Sequence, residues 1–220
     1  MNFAVLGTGT VGRTVAARLH ELGHHVVIGT RDPEATRARS GDGSFASWAD
    51  EHPGIGLAPF AEAAASAAIV VNASSGGASL EVLGEAGAAN LDGKVLIDIA
   101  NPLDFSDGMP PTLLYCNTDS LGERIQHAFP GTRVVKTLNT LTAELMVRPG
   151  SLPEGTSVFV SGDDPEAKAT AAALLKEFGH TDVIDLGDIS TARGTEMLLP
   201  VWLRLWGALG SPMFNLKVVR

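Results

Sequence analysis

Apolar and polar positions recur along this chain in short runs, and the runs alternate between two periods. Residues 3–6 are continuously apolar and end at Gly7, which predicts a buried strand. Val11, Val15, Ala16, Leu19 and Leu22 follow at helical spacing and stop at Gly23. Residues 26–28 predict the second strand. Asp32-Pro33 then opens a helix, with Asp32 as N-cap and Pro33 at the first helical position. Residues 44–51 read as a weak helix or loop, 55–58 as an edge strand and 59–66 as an Ala-rich helix. Strand 68–71, helix 77–86 and strand 94–99 continue the alternation. The Pro- and Asp-rich stretch 101–117 is expected to lack regular structure, and loops of that length often carry function. Helix 119–127 and strand 132–136 follow. Strand 157–160, helix 165–178, strand 182–186, one long helix 192–208 and a last strand 214–219 complete the reading.

Strands alternating with helices predict an α/β fold with a mostly parallel sheet covered on both faces. Ligands on such sheets bind beyond the carboxyl ends of the strands. The loops after Leu6, Ile28, Val71, Ile99 and Val135 are therefore expected to converge on one cleft. We expect a nucleotide-binding domain over residues 1–149 and a small C-terminal α/β portion over 150–220 packed on it.

The first of those loops is Gly7-Thr8-Gly9-Thr10-Val11-Gly12, a G-x-G-x-x-G sequence between a strand and a helix. That context makes it a Rossmann dinucleotide loop. Gly7 permits the turn, Gly9 lets a pyrophosphate approach bare backbone, and Gly12 lets helix and strand pack closely. The helix start offers unpaired N–H groups to the phosphates. The end of the second strand selects the nucleotide. An NAD site commonly carries Asp or Glu there, whereas this chain has Gly29-Thr30-Arg31. A hydroxyl at Thr30 and a guanidinium at Arg31 suit the 2′-phosphate of NADP. Asp32 could reach a ribose, but its place before Pro33 assigns it to the cap. Asn72-Ala73-Ser74-Ser75, Asn101 and Asn139 leave three further strands and could hold the nicotinamide half or cap their loops.

Composition narrows the class. Of 220 residues, 45% are hydrophobic and 19% charged, which is ordinary for a folded domain. The net charge of -9 gives no general attraction to nucleic acid or anionic membrane, so an anionic cofactor must be held by local groups. The single cysteine, Cys116, allows no internal disulfide and fits a reducing cytoplasm. The N-terminal apolar run reads as a strand and not as a signal peptide. The six histidines show no metal-ligand spacing, and no nucleophile motif is present. Asp98 reads as a base or as a buried structural carboxylate. Hydride transfer between two cofactors needs mainly binding and alignment, so the lack of an acid–base pair points that way, and no catalytic side chain is expected. Leu198, Leu199, Trp202, Leu205 and Trp206 form an apolar stripe expected to pair two chains as a homodimer or to be buried within one.

With these segments assembled, the chain resembles the coenzyme F420-dependent NADP oxidoreductases, a family whose domain also forms the nucleotide-binding part of membrane metalloreductases. The resemblance rests on the Gly7–Gly12 loop, on Gly29-Thr30-Arg31 and on the Asn101-Pro102-Leu103 segment. It extends through residues 134–140, 160–164 and 202–206. It implies a dimer that passes a hydride directly between NADPH and F420, a deazaflavin carrier, with the glycine loop, Thr30 and Arg31 on NADP. Asn72, Ala73, Ser74, Asn101 and Asn139 would lie on the nicotinamide side. The chain departs from the common pattern where the second cofactor would stack, with Thr137-Leu138 in place of Ala-Phe. A flavin, quinone or ferric chelate as acceptor, and a non-catalytic NADP sensor, stay open at this point.

Overall fold

A computed structural model describes residues 1–39, 41 and 43–220. Among these described residues ten strands run in chain order. They are β1 (Asn2–Leu6), β2 (His25–Thr30), β3 (Gly56–Pro59), β4 (Ile69–Asn72) and β5 (Val95–Asp98), then β6 (Leu103–Asp104), β7 (Thr112–Leu113), β8 (Arg133–Thr137), β9 (Ser157–Ser161) and β10 (Asp182–Gly187). Eight of them form one sheet in the order β10-β9-β8-β5-β4-β1-β2-β3. From β3 to β8 every pair is parallel. The chain works outward from β1 to β3 and then returns to the other side of β1 to make β4, so the switch point lies between β1 and β4, where such sheets bind ligands.

Side chains alternate across this sheet as strand geometry requires. Phe3, Val5, Ile69, Val71, Ile97 and Val135 join a core completed by Val15 and Leu19 of the helix Thr10–Glu21 and Leu174 and Phe178 of the helix Pro165–Phe178. Ala4, Leu6, Val70, Leu96 and Val134 join the opposite core, closed by the helices Phe60–Ser66, Ser79–Ala86 and Leu121–Ala128. The α/β fold with a mostly parallel sheet covered on both faces is therefore as expected. Asp32 caps the helix Pro33–Ala38, accepting from the Ala35 N–H at 2.9 Å.

β9 runs antiparallel to β8 and overlaps it only at Lys136↔Ser161 and Thr137↔Val160. The β9–β10 pair thus extends past the carboxyl ends of the parallel strands, on the side where the loops gather.

Three expectations need correction. The stretch 101–117 contains a short antiparallel hairpin, with Leu103 opposite Leu113 and Asp104 opposite Thr112. Two residue pairs are too few to leave a periodic signal. The long helix expected over 192–208 is two helices, Ala192–Met197 and Leu199–Leu209. Pro200 has no N–H to give to the Glu196 carbonyl, and its ring disfavours helical backbone just before it. Residues 214–219 form no strand. Their backbone meets β9 at one ladder bond, Ser157 N–H to the Leu216 oxygen at 3.0 Å, while the Val218 N–H turns to the Ser157 hydroxyl.

Candidate functional site

The glycine loop leaves β1 with Gly7 at φ +128°, a conformation that L side chains rarely adopt. A Cβ on Gly7 would stand 2.5 Å from the Ala73 carbonyl oxygen, so this loop and the β4 loop touch backbone to backbone. A Cβ on Gly12 would collide with the Gly7 carbonyl, while one on Gly9 would meet nothing within 4 Å. The three glycines thus divide as the motif predicts. Gly7 and Gly12 serve internal packing, and Gly9 faces open space. No side chain caps the helix Thr10–Glu21 at Gly9. Its first N–H groups and the positive end of its dipole face that same space, so the loop fits the diphosphate of a dinucleotide.

The β2 end lies at one flank. The Thr30 hydroxyl is buried and shares a hydrogen bond with the Thr36 hydroxyl at 2.8 Å. Arg31 is exposed, but its guanidinium is engaged. Nε donates to Glu85 at 3.0 Å and Nη2 to Glu81 at 2.6 Å, both on the helix Ser79–Ala86. The Glu85 hydrogen bond, with the charges of both carboxylates, holds the Arg31 pKa above the usual arginine value.

At the other flank a cavity of about 460 Å³ opens beside Val11. Its floor is the loop backbone of Ala73–Gly76 and Ile99–Asn101, with Asn139 beside them. Its walls are Phe105 and Met109 from the hairpin region and Leu199, Trp202, Leu203 and Trp206 from the late helix. The lining is mostly apolar and aromatic, and none of the described lining residues is titratable. Trp202 packs against Trp206 and Phe214, and its indole Nε1 is buried without a hydrogen-bond partner among the described residues. A flat ring can lie in such a slot.

Beneath the floor lies a buried charged network. Lys136 Nζ sits 2.9 Å from Asp98 Oδ2, 2.8 Å from Glu196 Oε1 and 2.5 Å from the Ala100 carbonyl. Burial opposes the Lys136 charge, but the two carboxylates outweigh it and raise its pKa above the ordinary lysine value. Asp98 also accepts from the Asn72 side-chain amide and the Ala100 N–H. Glu196 accepts from the Leu121 and Gly122 N–H groups at the start of the helix Leu121–Ala128. Asn101 and Asn139 bond to each other, and Asn139 also donates to the Thr195 carbonyl. These bonds fasten the late helical arm to the strand-end loops. Leu138, at φ +60°, lies in the left-handed region costly to a bulky residue, and it places Asn139 against Asn101.

Of the residues proposed from sequence, Val11, Ala73, Ser74, Asn101 and Asn139 line the cavity. Asn72 is fully buried, with its side chain spent on Asp98, Ser79 and Ser74. It shapes the loop from beneath. Gly7, Thr8, Gly9, Thr10 and Gly12 form the turn between the cavity and the Arg31 flank, and Thr30 and Arg31 lie on that far flank. Sequence reasoning did not single out Lys136 or Glu196. A lysine at the end of an apolar run in a central strand was the available signal. It also gave the Trp202 stripe to a dimer or core role and did not foresee its place in the cavity wall. Among the described residues no cluster of His, Cys, Asp or Glu could hold a metal, and no helix is long and apolar enough to cross a membrane.

Comparison with known proteins identifies relatives of this chain. Residues 2–102 match the family model described as NADP oxidoreductase, coenzyme F420-dependent. The chain is 30% identical to the F420-dependent NADP reductase of Methanothermobacter marburgensis over 93% of its own length and 92% of that protein. It is 29% identical to the metalloreductase STEAP3 of Rattus norvegicus over 90% of its own length, but spans only 37% of that protein. A crystal structure of an Arthrobacter sp. FB24 protein proposed to be an F420-dependent NADP-reductase is 63% identical, covers all of both chains and superposes with a TM-score of 0.98. The chain belongs to the coenzyme F420-dependent NADP oxidoreductase family.

Proposed function

We propose that this chain is an NADP-dependent oxidoreductase that moves a hydride between NADPH and the deazaflavin F420. The carrying observation is the continuity of the open, uncapped glycine loop with an aromatic-walled cavity free of titratable lining groups. Bound NADPH would supply a hydride with its electron pair to the acceptor ring, whose reduction a proton from water completes. The chain's own part is binding and alignment. The Gly9 backbone and the helix start hold the diphosphate, and Thr30 and Arg31 flank the adenosine phosphate. The Ala73–Gly76 and Ile99–Asn101 loops, with Asn139, support the nicotinamide side. Trp202, Trp206 and Phe105 cover one face of the acceptor ring. Alignment of this kind contributes about 7–11 kcal/mol to barrier lowering in favourable cases.

The finer assignments stand as proposals with it. Residues 1–149 act as the nucleotide-binding domain, and 150–220 add the arm that completes the cavity. The chain works in the cytoplasm, where its exposed Cys116 stays reduced. Two copies pair through the outer side of the late helix, where Val201 and Leu209 are exposed. Light scattering at micromolar concentration should give twice the chain mass, and a single-chain mass would defeat the dimer.

The function is tested by following NADPH oxidation without oxygen against F420, FMN, a quinone and a ferric chelate. Turnover with F420 at the highest kcat/KM supports the assignment. Turnover with ferric chelate or FMN alone would transfer it to a metalloreductase-like activity, and no turnover with any acceptor would refute it.

A further inference from the structure

Arg31 is the cation that would meet the 2′-phosphate of NADP, yet two carboxylates already hold it. Glu81 and Glu85 come from the helix after β4, 50 and 54 residues further along the chain. Together they place two negative charges against one positive charge where a dianionic phosphate must arrive. Nη1 of Arg31 has no partner among the described residues. A phosphate can therefore engage Nη1 while Nε and Nη2 keep their carboxylates, or it can displace them. Displacement is inexpensive, because solvent-exposed ion pairs contribute little. In either case the phosphate stands one guanidinium width from two like charges.

We propose that Glu81 and Glu85 set the preference of this chain between NADP and NAD. They lower the affinity for the phosphorylated nucleotide by repulsion and by competition for Arg31, and they leave the unphosphorylated one unaffected. The proposal rests on the reading of the strand-end cleft as an NADP site. Charge repulsion across such a spacing in salt water amounts to about two- to threefold in affinity per carboxylate.

The test is the dissociation constant of NADPH and of NADH, by calorimetry at fixed salt, for the wild-type chain, E81Q/E85Q and R31Q. All three positions are on the surface, and unchanged melting curves would show that the variants fold. NADPH binding should tighten about fivefold in E81Q/E85Q, with NADH changed less than twofold. In R31Q, NADPH binding should weaken. Unchanged or weaker NADPH binding in E81Q/E85Q would overturn the proposal, since the carboxylates would then be idle or would be orienting Arg31. Weaker NADH binding in that variant would also overturn it, by showing that they hold ribose hydroxyls. A wild-type chain that binds neither nucleotide, or an R31Q variant with unaltered NADPH binding, would instead sink the site reading beneath it.

Discussion

Lys136 at the end of β8 and Glu196 in the helix Ala192–Met197 meet at 2.8 Å, both out of contact with solvent. Their contact ties the arm that carries Trp202 and Trp206 to the sheet. Asp98, on the same ammonium, ties in the Ala100 floor of the cavity. Replacing Lys136 by Met would leave two buried carboxylates without their cation. Breaking a buried pair in this way costs about 3–5 kcal/mol. Urea unfolding of Lys136→Met should show a loss of that size, and a loss below about 1 kcal/mol would mean that the network does not clamp the arm.

The glycines of the first loop should separate folding from binding. Gly12→Ala puts a methyl group into the Gly7 carbonyl, so it should destabilise the chain by about 1–3 kcal/mol. Gly9→Val adds bulk to open space, so the protein should melt normally and lose both NADPH and NADH binding. A Gly9→Val protein with ordinary nucleotide affinity would remove the loop from the site.

Trp206 is 41% exposed on the cavity rim, so its truncation should be tolerated by the fold. In Trp206→Ala the KM for F420 should rise about tenfold, as expected for a lost aromatic contact, while the dissociation constant of NADPH stays within twofold. Equal weakening of both would place Trp206 against the nucleotide and not the acceptor.

His180 gives a pH signature. It is buried behind the helix Ala143–Val147, with Nε2 bonded to the Met146 carbonyl and Nδ1 without a partner among the described residues. Burial lowers its pKa below the ordinary 6.5. The unfolded chain therefore takes up a proton at a higher pH than the folded one. Stability from this group is complete above about pH 6.5 and declines as the pH falls from there through the folded-state pKa. Replacing His180 by Gln should flatten that acid limb of unfolding free energy against pH. An unaltered limb would assign it to other groups.

Much of this was legible in the sequence because local signals agreed. The strand, glycine turn and helix of residues 2–21 are contiguous, and the Asp32-Pro33 cap announced itself by residue type alone. Short apolar runs alternating with helical spacing carried the sheet covered on both faces. What was not legible depends on contacts between distant segments. The engagement of Arg31 by Glu81 and Glu85 spans about fifty residues and leaves no local pattern. The same holds for Lys136 with Glu196 and for the turn of Trp202 toward the cavity. The Pro200 break was visible in principle, but the apolar stripe running through it masked the interruption.

The central claim is direct hydride transfer between two aligned rings with no proton-transfer group from the protein. Single-turnover transfer from NADPH deuterated at the transferring C4 position to oxidised F420, followed by mass spectrometry of the products, addresses it most directly. The account predicts deuterium in reduced F420 with none lost to water, at a rate that an Asp98→Asn variant changes only through stability or positioning. Deuterium appearing in solvent, or a folded Asp98→Asn variant slowed more than about a thousandfold at unchanged NADPH affinity, would contradict it.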